Sequence, residues 1–522
     1  MYHDSKILIG KTSGEGKPVY IYPSMANRHG LIAGATGTGK TVTLKVMAES
    51  FSDMGVPVFL ADIKGDLAGM ALPGVPGTTA DGRIEKMSLK DIGFEFKKYP
   101  VNYWDVYGET GMPLRTTVTE MGPLLLSRIL GLNATQTDIM SVVFKIADDE
   151  GMLLIDTKDL RSMLQYVGEK RQEYSLVYGN IAPASLAAII RSVVALEADG
   201  GDRFIGEPAI DINDWLRCDD EGRGMMQLLD CRRLALSPRM YSTFLLWLMS
   251  ELFEALPEVG DVGKPKLVFF FDEAHMLFES ASDTLLAKIE QVVKLIRSKG
   301  VGIYFITQTP GDIPGGVLSQ LGNKVQHALR AYTPADQKAV KAAALSYREN
   351  PGFNTYDVLS ELGTGEALVS VLDEDGVPTV VERTKILPPE SRIGAIADDI
   401  RSGFAGASEL RDKYDEAVDR DSAFEFLQRY RIEAAEAKRR EAEEQAAAKQ
   451  AEKEKKAEEK AAAAAEKKKN AMAKKVAKSA SGTVGREIGK AVGGLFGSFG
   501  KRLGGNLGAE LGRGVAGTLF KR

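Results

Sequence analysis

One stretch constrains this chain more than any other: Gly34-Ala35-Thr36-Gly37-Thr38-Gly39-Lys40-Thr41. It follows an apolar run, His29-Gly30-Leu31-Ile32-Ala33, and opens a helical pattern at Val42-Thr43-Leu44-Lys45-Val46-Met47. Strand, glycine-rich turn and helix start form the context that a G-x-x-x-x-G-K-[ST] phosphate loop requires. The glycines let the backbone turn tightly, so that successive N–H groups converge on phosphate oxygens at the positive end of a helix. In that geometry Lys40 reaches the β- and γ-phosphates of ATP, and the Thr41 hydroxyl ligates Mg²⁺. The alternative, a glycine turn with no nucleotide, needs a chance match placed between a strand and a helix.

A second motif matches the first. Lys266-Leu267-Val268-Phe269-Phe270-Phe271-Asp272-Glu273-Ala274-His275 is an aromatic-rich buried strand that delivers two adjacent carboxylates to its end. Asp272 is expected to hold the hydrated Mg²⁺, and Glu273 to orient and deprotonate the attacking water. His275 reads as a satisfied buried histidine, or as a link between site and substrate. The run Val56-Pro57-Val58-Phe59-Leu60-Ala61-Asp62 is apolar without alternation, as in a strand buried on both faces of a parallel sheet. It leads into Asp62-Ile63-Lys64-Gly65-Asp66 at a strand's carboxyl end, where open α/β sheets place ligands. Asp62 reads equally well as a ligand-side residue and as a turn or cap residue.

Gly300-Val301-Gly302-Ile303-Tyr304-Phe305-Ile306-Thr307-Gln308 is a further strand. Gln308, at its end, is positioned to sense the γ-phosphate or place the water, or is an ordinary strand-end polar residue. Asn323 to Arg330 reads as another strand. Arg297 and Arg330 are candidate arginine fingers acting on developing phosphoryl charge across a subunit interface, although most arginines simply cover surface.

Composition and order bound the rest. A chain of 522 residues suggests about two to four domains. Two cysteines and four histidines without metal-type spacing argue against a disulfide framework or a zinc site, and for a reducing, cytoplasmic setting. No signal-peptide pattern and no apolar run long enough to span a bilayer are present. Residues 434–522 hold 21 Lys and Arg against 11 Asp and Glu, a surplus of ten, so residues 1–433 carry a formal −15 within a total of −5. Any attraction to nucleic acid or anionic lipid is therefore expected in the tail or in local loops.

Ile7 to Pro23 predicts a hairpin feeding the phosphate loop, residues 69–92 a mobile Gly/Pro/Thr loop, and Val101–Val106 a strand. The expected organisation is a discontinuous ATPase core at residues 1–113 and 237–390, with a mainly helical insertion at 114–236. A hairpin, Leu362–Val369 with Thr379–Arg383, closes the core. A helical extension follows at 391–430, with Tyr414-Asp415-Glu416 facing solvent. Residues 431–478, rich in Ala, Glu, Lys and Arg, form a solvated helix or a semi-rigid spacer. In the tail, 479–522, Gly485, Gly489, Gly493 and Gly497 recur every four residues, as do Gly500, Gly504, Gly508 and Gly512. Three readings stand equally for it: a partner-helix contact, a basic amphipathic helix on a membrane surface, or disorder until a partner binds.

Taken together, the phosphate loop, Asp62 to Asp66, Asp272 to His275, Arg297 to Gly300, Gln308, and Leu329-Arg330 followed by Asp336 resemble the HerA–FtsK superfamily of hexameric P-loop motors. The similarity is closest to the bacterial HerA-like ATPases and helicases, and covers roughly residues 5–390 in the family's order. It implies an α/β fold with a RecA-like P-loop core, ATP and Mg²⁺ as cofactors, a homo-hexamer, and translocation or unwinding of DNA. It also makes Arg297 the finger acting in trans, Arg330 a second active-site arginine, and Gln308 the sensor. Two family parts are missing: too few residues precede the phosphate loop for the HerA N-terminal β-barrel, and no FtsK-type winged helix is evident. The Asp-Glu-Ala-His string also resembles DEAH helicases, without their arginine-glycine-rich motif. The competing function is an ATP-driven motor or assembly switch working on protein or at a membrane surface.

Overall fold

In the computed structural model the described residues are 1–77, 79–279, 281 and 283–479. The glycine-striped tail therefore lies outside the described residues, apart from Ser479. Thirteen described strands join one sheet. They are β1 (Tyr2–His3), β2 (Lys6–Thr12), β3 (Pro18–Ile21), β4 (Gly30–Ala33), β5 (Val58–Asp62), β6 (Val101–Asp105), β7 (Met112–Pro113), β8 (Met226–Asp230), β9 (Leu267–Phe271), β10 (Val301–Thr307), β11 (Asn323–His327), β12 (Glu366–Ser370) and β13 (Glu382–Ile386). Their spatial order is β1-β2-β13-β12-β11-β4-β10-β9-β5-β8-β6-β7, with β3 paired to β2.

From β11 to β7 all neighbours are parallel. Every residue of β4, β5, β8, β9 and β10 is buried, so both faces at the centre of the sheet are covered. That is what continuous Val/Ile/Phe runs without alternation require. The flank β12-β13-β2-β3 is antiparallel, built from two hairpins. This mainly parallel sheet, with a helix following the phosphate loop, is the RecA-like P-loop architecture.

Three expectations change. Residues 226–230 are a central strand between β5 and β6, so the insertion gives way to the core before residue 226 instead of running to 236. The leucines there fit helix and strand spacing alike, and only the sheet neighbours decide. The helices that do fill this segment are Val118–Ile129, Ala134–Asp149, Thr157–Glu169, Arg171–Tyr178 and Pro183–Ala198. Residues 69–92 carry the helix Thr79–Lys86 and two 3₁₀ turns, because Ile84, Met87 and Leu89 bury themselves against Leu8, Val46 and Phe94. Residues 391–430 hold the helices Asp398–Gly406 and Arg411–Tyr414, packed into the core. Tyr414 does not face solvent: it is fully buried, edge-on to Trp104 at 5.3 Å.

Met1–Tyr430 forms one compact unit, and the chain beyond is a second. A helix runs from Ala423 to Ser479, braced by i,i+4 pairs such as Lys456 with Glu452 and Arg439 with Glu443. Among the described residues no single helix is long and apolar enough to cross a membrane.

Candidate functional site

The phosphate loop leaves β4 where two neighbours press on it. Gly34 has φ +153°, and a Cβ there would sit 2.5 Å from the Cβ of His327 at the end of β11. Gly39 has φ +116°, and its missing Cβ faces the Gly365 backbone at 3.2 Å. Gly34 therefore has no room for a side chain, and at Gly39 the left-handed backbone and the tight contact both disfavour one. Within the loop the Thr38 hydroxyl donates to the Ala35 carbonyl at 2.7 Å, and the Gly365 N–H donates to the Thr38 carbonyl at 2.9 Å. Lys40 Nζ donates to the carbonyls of Gly34 (2.6 Å) and Ala35 (3.3 Å), so its ammonium spans the turn. Burial pulls Lys40 below its usual range, while the charges of Glu273 and Asp272 act to raise it. The lysine and the carboxylate pair thus lie in one electrostatic neighbourhood.

The helix Lys40–Asp53 begins at Gly39 with no side-chain cap and no acidic residue in its first turn. Its leading N–H groups are left for an anion. Thr41, in the same turn, is partly buried.

Asp272 and Glu273 follow β9. The two motifs do not sit on neighbouring strands but on strands separated by β10. At ordinary strand spacing β4 and β9 are roughly 10 Å apart. That leaves the end of β10, where Gln308 stands exposed, between the phosphate loop and the carboxylates. Ala274 N–H donates to Ile306 O at 2.8 Å, and the Tyr241 hydroxyl donates to Asp272 O at 2.7 Å, fixing the turn. Burial and the Glu273 charge push the Asp272 carboxyl up to about 6. Glu273 takes φ +46°, a left-handed conformation rare for a residue with a side chain. Its Oε1 accepts from Lys64 Nζ at 3.0 Å; its buried Oε2 has no hydrogen-bond partner among the described residues, and His275 Nδ1 lies 3.4 Å away. The His275 side chain is 37% exposed, so it is not the buried histidine expected.

Asp62 is a turn residue: its Oδ1 accepts from Gly65 N–H at 2.7 Å, and burial pushes its carboxyl up to about 7. It stands in register with Asp230 and Asp105 at the ends of β5, β8 and β6. Arg401, buried, bridges Asp62 Oδ2 at 3.4 Å and Asp230. For Asp230 burial acts upward, but the Arg232 hydrogen bonds and the Arg401 charge outweigh it and hold the carboxyl below its usual range.

The arginines divide. Arg330 follows β11 on the phosphate-loop edge, exposed, with Nη1 donating to Ser360 O at 3.0 Å. Arg297 precedes β10 and pairs with Asp261 at 3.0 Å. It lies at the far edge of the sheet, about 23 Å along seven residues of strand from Gln308. Sequence reasoning missed three supports. His327, neutral and pulled down to about 4 by burial, bonds Thr43 Oγ1 at 2.8 Å and Glu366 O at 3.0 Å. Arg83 donates to the carbonyls of Gly365 and Ile386, pinning the segment under Gly39. Arg401 arrives from 171 residues beyond Asp230. Only the glycine pair at Gly363 and Gly365 signalled any of this.

The residues present fit a magnesium–triphosphate. An uncapped helix start, a lysine held by loop carbonyls, a threonine hydroxyl, a buried aspartate and an unpartnered glutamate oxygen share one edge of one sheet.

A family model described as Helicase HerA-like C-terminal matches residues 7–503. The DNA double-strand break repair helicase HerA of Sulfolobus acidocaldarius is 21% identical over 384 residues, 73% of this chain and 69% of that protein. Its namesake from Sulfurisphaera tokodaii is 23% identical over 71% of this chain and 67% of that protein. Among solved structures, VirB4 of Thermoanaerobacter pseudethanolicus superposes with a TM-score of 0.49 at 16% identity, covering 74% of this chain and 97% of that one.

Proposed function

The chain belongs to the helicase HerA-like family of P-loop ATPases, and from that premise we propose that it is a Mg²⁺-dependent ATP-hydrolysing motor, assembled as a hexamer, that translocates or unwinds DNA. The observation that carries this reading is the order β4-β10-β9, which gives the phosphate loop, Gln308 and the Asp272-Glu273 pair one shared edge.

ATP binds with its phosphates against the N–H groups of Gly37 to Thr41, the loop being Gly34-Ala35-Thr36-Gly37-Thr38-Gly39-Lys40-Thr41. Lys40 exchanges two loop carbonyls for phosphate oxygens. Thr41 and Asp272 would hold the Mg²⁺, which when bound neutralises charge on the β- and γ-oxygens. Glu273 Oε2 takes a proton from water as the water oxygen bonds to the γ-phosphorus. The bond from that phosphorus to the β,γ-bridging oxygen breaks, and ADP leaves with the electron pair. Gln308, between base and phosphate loop, senses the γ-phosphate. Arg297 acts on the nucleotide of a neighbouring copy, a reading supported by its place at the edge opposite its own phosphate loop; Arg330 serves the same-chain edge.

DNA enters through the family. With a formal −15 on residues 1–433, contact with DNA must rest on local basic loops or the tail. The test is ATP turnover by the full chain with and without duplex DNA at two salt concentrations. Stimulation that falls steeply with salt supports a DNA motor. Turnover indifferent to DNA at low salt would refute it in favour of a protein or membrane substrate.

A further inference from the structure

Lys64 has no role in the hydrolysis steps above, yet among the described residues it makes the one side-chain hydrogen bond to the carboxylate of the proposed base. It sits two residues past β5, the strand adjacent to β9, and its side chain is 47% exposed. Resting on the ATPase reading above, we propose that Lys64 is a positioning residue: it anchors Glu273 Oε1 so that the unpartnered Oε2 is the oxygen that receives the proton from water.

The geometry supplies three reasons. First, a glutamate carboxylate on a free χ3 torsion rotates broadly, and one charged donor at 3.0 Å on one oxygen removes that freedom. Second, the backbone under Glu273 is fixed: it is held at φ +46° in a turn tied by the Ala274 N–H on Ile306 O, so the base starts from a defined position. Third, Lys64 is itself carried by a fixed turn. Asp62 Oδ1 takes the Gly65 N–H, and Arg401 grips the other Asp62 oxygen from a segment more than 330 residues downstream. His275 Nδ1, 3.4 Å from Oε2, does not hydrogen-bond it, so among the described residues the buried proton-accepting oxygen has no donor competing for it. The chemical balance of hydrolysis is unchanged: Oε2 gains the proton, and Lys64 keeps its own throughout.

The experiment uses the full chain carrying Lys64→Met, Lys64→Arg, Glu273→Gln, or Glu273→Gln with Lys64→Met. Turnover of ATP gives kcat and KM, and titration with a fluorescent ATP analogue plus Mg²⁺ gives affinity independently of hydrolysis. K64M is expected to lower kcat about 10- to 100-fold, the cost of a misplaced reacting group. KM and analogue affinity should stay within about threefold, because Lys64 contacts the base and not the nucleotide, so its loss falls on the chemical step. K64R should recover most of the loss, and K64M should remove nothing further from E273Q. A K64M enzyme with kcat at or above wild type overturns the proposal. So does a loss carried by affinity, or one that adds to E273Q. No turnover by the wild-type chain under any condition would instead sink the ATPase reading. Because Lys64 is half exposed and methionine keeps its aliphatic stem, the fold is expected to survive, and unchanged analogue affinity verifies it.

Discussion

Arg401→Met tests the acidic edge of the sheet. In the native protein the guanidinium is 1% exposed and shared between Asp62 and Asp230, themselves 0% and 7% exposed. Methionine fills the volume but leaves two carboxylates buried without their common cation. Removing one partner of a buried pair costs about 3–5 kcal/mol. The loss should depend on pH with a definite sign. Asp62 titrates at about 7 in the fold, above its ordinary 3.8, so its ionisation opposes folding. Stability from this group is complete below pH 4 and is lost as pH rises through 7. A neighbouring opposite charge shifts a carboxylate by about one to three units. Without Arg401, Asp62 should therefore cost at least about 1.4 kcal/mol more at pH 8.5. At pH 5.5 it is already protonated and should cost almost nothing extra. Urea unfolding followed by tryptophan emission reads this directly, since Trp104, Trp215 and Trp247 are all buried in the Met1–Tyr430 unit. A variant within about 1 kcal/mol of wild type at pH 8.5, or an equal loss at both pH values, would refute the assignment.

Glu273→Gln should reduce turnover about 10²- to 10⁴-fold while retaining nucleotide, and mass measurement with ATP should then find a hexamer; a monomer under every nucleotide condition would contradict the trans role of Arg297. Gly34→Ala should abolish binding of the fluorescent ATP analogue, since its Cβ has no room beside His327; retained affinity would show that the loop yields. Arg83→Ala should raise KM for ATP several-fold at constant kcat by freeing the segment under Gly39; a kcat effect alone would contradict this. His29 is buried, accepts from Ile303 N–H on Nδ1 and donates to Val293 O from Nε2, with its pKa pulled down to about 4 by burial. Stability should therefore fall as pH drops from 6.5 to 4, by up to about 1.4 kcal/mol per pH unit for this one proton. His29→Asn, which tolerates the φ of +57° and does not titrate, should flatten that slope in urea midpoints measured across the range.

What the sequence conveyed follows from how local each feature is. The phosphate loop and the Asp272-Glu273 turn are contiguous strings whose chemistry is written in consecutive residues, and both lie at strand ends as read. The strand order was not readable. β10 comes after β9 in the chain yet lies between it and β4, a choice made by crossover topology and not by any residue. Strand β8 was hidden because Met225-Met226-Gln227-Leu228-Leu229 has no alternation, which fits a buried strand and a buried helix equally. Tyr414 reads as a surface residue of a charged segment, and Arg401 carries no local signal at all. Their burial depends on partners, Asp62, Asp230 and Trp104, that lie 171 or more residues away. Lys64 stands inside a legible motif, but its bond to Glu273 spans 209 residues and leaves no local trace.

The pairing of β2 with β13 bears on the order in which the molecule can be made. Lys11 lies opposite Lys385, and Ile386 opposite Gly10. A ribosome adding about 5–20 residues per second needs roughly 20–75 s to pass from one to the other. Through that interval the first hairpin has an open edge facing solvent. Closing that seam late makes the nascent chain's early strands the segment most in need of shielding by chaperones.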